Sequence, residues 1–138
     1  MMAGMSNRSS GSVTPLEIRR GDLLRAVNGS RGALLAASVQ LALDPWRRLR
    51  GLIGRTLGDG EAMLIRPCGA VHTCFMGYPI DVLFLDEEGR IVAVAADLAP
   101  WRFSSFYGAA RCALELPAGT VARSGTREGD AVAFERRG

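Results

Sequence analysis

The chain has 138 residues, of which 48% are apolar and 22% charged, and its formal net charge is +3. These values are typical of an ordinary globular protein with one domain. All of the basic residues are arginines, which we attribute to genome base composition, so the net charge gives no reason to expect nucleic-acid binding.

Cysteine content and hydropathy bear on where the protein works. Three cysteines are an odd number, which argues against a disulfide framework and favours a reducing compartment. The N-terminus lacks the apolar core of a signal peptide, and the longest apolar run, residues 32–43, is shorter than the about 20 residues that span a bilayer. We therefore expect a soluble, cytoplasmic protein without contact to a membrane.

The first third of the chain predicts a tail, a hairpin and a helix. Residues 1–15 are rich in serine, glycine and methionine and are predicted to be a disordered tail before a single β domain over residues 21–136. Residues 23–27 and 34–43 are predicted strands on either side of an Asn-Gly-Ser turn. Asp44-Pro45 is a helix-start signal, and an apolar and an arginine-rich face predict an amphipathic helix over about 45–57.

The remainder of the chain predicts short strands with hairpin-length links. We place strands at residues 62–65, 71–76, 80–85, 90–96, 112–116 and 131–135. A long aromatic loop covers residues 97–110, and a short helical turn is predicted at about 117–125. The expected fold is mainly β: a single-domain antiparallel β-sandwich or partly open barrel with the amphipathic helix and the helical turn.

The rare residues cluster between positions 68 and 81. Cys68, His72 and Cys74 have C-x3-H-x-C spacing, and Cys112 would complete four zinc ligands. The C-x2-C pairs typical of structural zinc sites are absent, so we favour ordinary packing and expect no metal or cofactor. A cysteine nucleophile activated by His72 and oriented by Asp81 is a second hypothesis, although no cationic neighbour stabilises a thiolate.

His72 and Asp81 form the more promising pair. Asp81 shares a strand face with leucines, so pairing of that strand would draw its carboxylate into apolar surroundings, where it needs hydrogen-bond donors. His72, Thr73 or a backbone N–H could supply them. Both side chains then line a small polar pocket, or Asp81 caps the Gly77–Pro79 turn and His72 is a wall residue.

Two arginine-containing segments are candidate ligand surfaces. The loop around Trp101 and Arg102 could stack a sugar or a base, or could cover an open end of the barrel. The arginine face of the predicted helix, which includes Arg47, Arg48 and Arg50, is expected to be solvated rather than bound to phosphates.

Several segments together resemble one known family. They are GLIGR at 51–55, VHT at 71–73 with Phe75 and Met76, PIDVLFLD at 79–86, LELPAGT at 114–120 and REGDAV at 127–132. In order and spacing they are similar to the bacterial and archaeal family called domain of unknown function 192, over residues 21–136. The resemblance implies a compact, mainly β domain with no established activity. Cys74 departs from the family pattern, where a bulky residue is usual, which argues against family-wide chemistry at this cysteine.

The sequence therefore predicts a small non-enzymatic β domain of unknown function. It would bind a small polar ligand or a protein partner near His72, Asp81, Trp101 and Arg102. The alternative is a hydrolase-like enzyme that uses His72, Asp81 and a cysteine. A further alternative is the zinc site at Cys68, His72 and Cys74.

Overall fold

In a computed structural model of the protein, residues 11–44, 57–73 and 76–137 are described. The strands are β1 (Ser12–Val13), β2 (Leu24–Asn28), β3 (Ala33–Ala42), β4 (Glu61–Ile65), β5 (Ile80–Leu85), β6 (Ile91–Leu98), β7 (Cys112–Pro117) and β8 (Val132–Arg136). One 3-10 turn (Pro15–Glu17) follows β1, and one short helix, α1 (Thr120–Ser124), precedes β8. None of the described helices is long and apolar enough to span a membrane.

All eight strands belong to one open sheet in the order β1-β8-β2-β3-β4-β7-β5-β6. The mainly β class is thus confirmed, whereas the sheet is not a closed barrel and the described residues contain no second sheet of a sandwich. The prediction that all strands are antiparallel is wrong at one place, because β3 and β4 run parallel. Parallel neighbours need a long crossover, and the segment 43–60 between them supplies it.

The core lies on both faces of the sheet, and β5 is buried along its whole length. Leu83 and Leu85 contribute to one apolar cluster, and Ile80, Val82 and Phe84 contribute to the other. This alternation follows from the period of two in a strand. A strand that is covered on both faces has a nearly continuous apolar sequence, and residues 80–85 have such a sequence.

The structure agrees with several predicted elements and corrects others. The strand at 34–43 and the helical turn at 117–125 correspond to β3 and α1. Where residues 71–76 were predicted to be a strand, the described residues 71–73 and 76 form no regular strand, and an isolated bridge links His72 to Phe103. In contrast to the predicted tail of residues 1–15, Ser12 and Val13 pair with β8. The predicted helix at 45–57 lies almost entirely outside the described residues.

Candidate functional site

The long loop after β6 is held against the segment 69–73 by backbone hydrogen bonds. Thr73 donates its N–H to the Arg102 carbonyl at 2.8 Å and accepts from the Trp101 N–H at 3.0 Å. Further along, the Ser104 and Tyr107 N–H groups donate to carbonyls of the same segment at 2.9 and 2.8 Å. The two irregular segments therefore fix each other in the manner of a short ladder, without forming regular strands.

The buried Thr73 hydroxyl fixes the loop a second time. Its Oγ1 donates to the Ala99 carbonyl at 2.5 Å and accepts from the Arg102 N–H at 2.8 Å. Trp101, between these two contacts, has a φ of 63°. A bulky residue in the left-handed region is uncommon and persists only when its surroundings determine the backbone. The hydrogen bonds of Thr73 provide that determination.

The fixed loop carries three of its large rings into solvent, whereas the Tyr107 ring packs against Phe84 in the core. Trp101, Phe103 and Phe106 are 56%, 75% and 76% exposed, and the exposed His72 ring lies 6.0 Å from the Phe103 ring between centroids. Phe106 stands over Gly69, where an added Cβ would lie 2.8 Å from the ring. We call the exposed side chains of His72, Trp101, Arg102, Phe103 and Phe106 the aromatic surface.

Of the four predicted ligand-binding residues, the structure brings His72, Trp101 and Arg102 together on this surface. Asp81 lies in a different environment, because its side chain is 1% exposed. Its Oδ1 accepts from the Asp97 N–H at 2.7 Å, and its Oδ2 accepts from the Gly119 and Val121 N–H groups at 3.1 and 2.8 Å. The buried acid has thus found backbone donors, as its position in the strand required.

These bonds make Asp81 the side chain that ties α1 to the end of β6. Gly119, before the first residue of α1, has a φ of 97°, a conformation that favours glycine. Val121 lies in the first turn, where backbone N–H groups lack partners within the helix and a carboxylate satisfies them. Asp81 therefore caps α1 rather than the turn at residues 77–79, and it anchors the strand that leads into the aromatic loop.

Cys68 and Cys112 pack against different apolar clusters, on opposite faces of the sheet. Cys68 is half-buried against the cluster that contains Phe84, and its Sγ donates to the Ala70 carbonyl at 2.9 Å. Cys112 is fully buried in the other cluster, and burial raises the pKa of its thiol to about 12. Among the described residues, no three His, Cys, Asp or Glu side chains are arranged to hold a metal ion. Cys74 lies outside those residues, so the zinc hypothesis stays a prediction.

Sequence reasoning missed Glu115, a buried acid in β7. Its side chain is 3% exposed, and its Oε1 has no hydrogen-bond partner among the described residues. Burial raises the pKa of this carboxyl from its ordinary 4.5 to about 8. The available signal was an acid within the apolar run Cys112–Pro117. The residues around Glu115 do not by themselves indicate that both faces of β7 lie in the core.

A second polar cluster lies at the C-terminal end of β2. The buried Asn28 amide donates to Thr126 Oγ1 at 2.9 Å and to Asp130 Oδ2 at 3.0 Å. Arg31 donates to the same Oδ2 at 2.7 Å. The hydrogen bonds from Asn28 and then Arg31 lower the pKa of Asp130 to about 2. This cluster joins the β2–β3 turn to the loop before β8.

Replacing Thr73 by valine is expected to loosen the aromatic loop. The change removes the acceptor of the Arg102 N–H and the donor to Ala99, at a cost of about 1–3 kcal/mol in the free energy of unfolding. Amide exchange at Arg102 should become faster. Ser105→Ala, at an exposed position of the same loop, is the control. Unchanged exchange at Arg102 in Thr73→Val would contradict the role of the hydroxyl.

Comparison with known proteins places the chain among uncharacterised relatives. The model of the family DUF192, described as "Uncharacterized ACR, COG1430", matches residues 26–134. A "UPF0127 protein" of Thermococcus sibiricus is 28% identical over 114 residues, which are 79% of this chain and 73% of the relative. A second "UPF0127 protein", from Thermococcus gammatolerans, is 26% identical over 114 residues, with 79% of this chain and 74% of the relative covered.

Two solved structures share the fold. The crystal structure of a "putative transcription regulator" from Sinorhizobium meliloti 1021 superposes with a TM-score of 0.68 at 28% identity, covering 82% of this chain and 92% of that one. A protein of unknown function from Novosphingobium aromaticivorans superposes with a TM-score of 0.69 at 24% identity, covering 91% and 95%. Since the family model spans most of the folded part, the chain belongs to the uncharacterised family DUF192.

Proposed function

We propose that this protein is a non-enzymatic domain that binds a protein partner or a small polar ligand at the aromatic surface. The observation that carries the proposal is the exposure of three large rings, Trp101, Phe103 and Phe106, on a loop whose backbone is fixed. A soluble protein exposes rings in this way at a cost in solubility, and clustered exposed apolar side chains mark interaction sites. A cytoplasmic location belongs to the same proposal and is supported by the buried thiol of Cys112, which forms no disulfide.

Preorganisation supports binding at this surface. Thr73 and the ladder with segment 69–73 hold the loop in place, so binding orders little further backbone. A rigid loop with exposed rings therefore loses less conformational entropy on association than a mobile loop would. Asp81 supports the loop indirectly, because its carboxylate accepts a hydrogen bond from Asp97 near the end of β6. It is not part of the proposed contact surface.

The proposal can be tested with a single-tryptophan reporter. The chain has two tryptophans, so Trp46→Phe leaves Trp101 as the only one. This protein would be screened against a display library of short random peptides and a library of small polar fragments. We expect binders that change Trp101 fluorescence. Their dissociation constants should rise at least about tenfold in the double variant Phe103→Ser, Phe106→Ser, because aromatic anchors carry much of the energy of an interface.

The control is Leu34→Ser, which changes an exposed apolar side chain on β3. It should bind every selected ligand as the parent protein does. Ligands that bind the ring variant and the parent protein equally well would refute the proposal. Thermal unfolding of both variants verifies that they are folded, since all three side chains are exposed and their loss leaves the core intact.

A further inference from the structure

We infer that the aromatic surface takes an acidic peptide segment of a partner protein, with apolar side chains against the rings and a carboxylate at Arg102. The inference rests on the proposed function and names the chemistry of its partner. Three features of the surface lead to it: its size, its charge and the small number of available cations.

The size of the surface fits a short segment of chain. Three aromatic side chains that are more than half exposed present on the order of 400 Å². A stable complex between two globular proteins buries about 800 Å² on each partner. The aromatic surface alone covers about half of that area, which suits an extended peptide with a few apolar anchors.

The charge of the surface fits an acidic ligand. The two segments that build it, residues 66–80 and 98–111, contain no aspartate or glutamate. Arg102 is exposed, and no carboxylate of the described residues forms a salt bridge with it. An exposed guanidinium attracts a carboxylate and pairs with it through two parallel hydrogen bonds.

The number of available cations argues against a nucleic acid. The other two arginines of these segments donate to backbone carbonyls, Arg66 to Pro15 and Ile18 and Arg111 to Gly108. Arg102 is the remaining guanidinium of these segments. Affinity for nucleic acids grows with the number of phosphates that are neutralised, and one arginine supplies a small part of it. One carboxylate in an otherwise apolar peptide is a better match for one guanidinium.

The test uses the same display library on three forms of the full chain: the parent, Arg102→Glu and Arg123→Glu. Peptides selected by the parent should be enriched in aspartate and glutamate next to leucine, isoleucine or phenylalanine. Arg102→Glu should weaken these peptides about tenfold and should itself select peptides rich in lysine and arginine. Arg123, exposed on α1, provides a matched charge reversal that leaves the selection unchanged.

The outcomes separate this inference from the proposed function. Ring-dependent peptides without acidic residues, or an unchanged selection by Arg102→Glu, overturn the inference and leave the proposed function standing. Ring-dependent binding of polar fragments without any peptide has the same consequence. Ring-dependent binding of an oligothymidylate more tightly than of the selected peptides would overturn both proposals, because a nucleic acid is neither a protein partner nor a small polar ligand. If no ligand from either library depends on the rings, both proposals fail.

Discussion

Replacing Glu115 by glutamine is expected to abolish most of the pH dependence of stability between about pH 4.5 and 8. The folded-state pKa of this carboxyl, about 8, lies above its ordinary value of 4.5 because burial disfavours the charged form. The native state therefore holds a proton that the unfolded state releases. The contribution of Glu115 to the free energy of unfolding is therefore most favourable below pH 4.5 and falls, by on the order of 4 kcal/mol, as the pH rises toward 8.

Denaturant unfolding at a series of pH values measures this effect. The wild type and Glu115→Gln differ at this one carboxyl group, so the difference between their pH profiles isolates Glu115. Glu115→Met, which removes the buried polar oxygens, should raise the free energy of unfolding by about 2 kcal/mol at the alkaline end. The exposed Glu128 gives a matched control, Glu128→Gln. Equal slopes for the wild type and Glu115→Gln would exclude a neutral buried acid.

Replacing Asp81 by alanine is expected to lower the free energy of unfolding by about 3–5 kcal/mol. The change leaves the N–H groups of Asp97, Gly119 and Val121 without their acceptor, two of them at the start of α1. Asp81→Asn should also destabilise the domain, because its amino group faces backbone donors. The largest losses of amide protection should fall at these three residues.

The exposed Glu87 in the β5–β6 turn supplies the control for Asp81. Glu87→Ala should change the free energy of unfolding by less than about 0.5 kcal/mol. A small effect of Asp81→Ala, or a large effect without faster exchange at the three amides, would contradict the anchoring role. A ligand of the aromatic surface should still bind the folded Asp81→Ala protein, because we propose that Asp81 is not part of the contact surface.

Several features could be predicted because they depend on neighbouring residues. Alternation and turn residues place β3, β5 and the β5–β6 hairpin, and the apolar run of β5 indicates a strand covered on both faces. The position of Asp81 within β5 is enough to predict that its carboxylate is buried and needs donors. Its actual donors are 16, 38 and 40 residues away, so nothing near it in the sequence identifies them.

Glu115 illustrates the opposite case. An acid in a strand usually faces solvent, and the residues around it fit a strand that is covered on one side. β7 lies between β4 and β5 in the interior of the sheet, and Met63 and Val82 flank Glu115. The neighbours of a strand are chosen by the chain topology, so the burial of this acid could not be read from residues 112–117.

The sequence by itself determined the mainly β class, most strand positions and the family, and it predicted a site region around His72, Trp101 and Arg102. The tertiary structure decided that β3 and β4 are parallel and that the Asp81 carboxylate accepts three backbone hydrogen bonds. It also decided that the aromatic loop exposes Trp101, Phe103 and Phe106 while Tyr107 packs in the core. The difference between the features that the sequence determines and those that the tertiary structure decides has a physical cause. Side-chain alternation and turn conformation are set by adjacent residues, whereas strand neighbours and the covering of a face depend on contacts between residues that are distant in sequence.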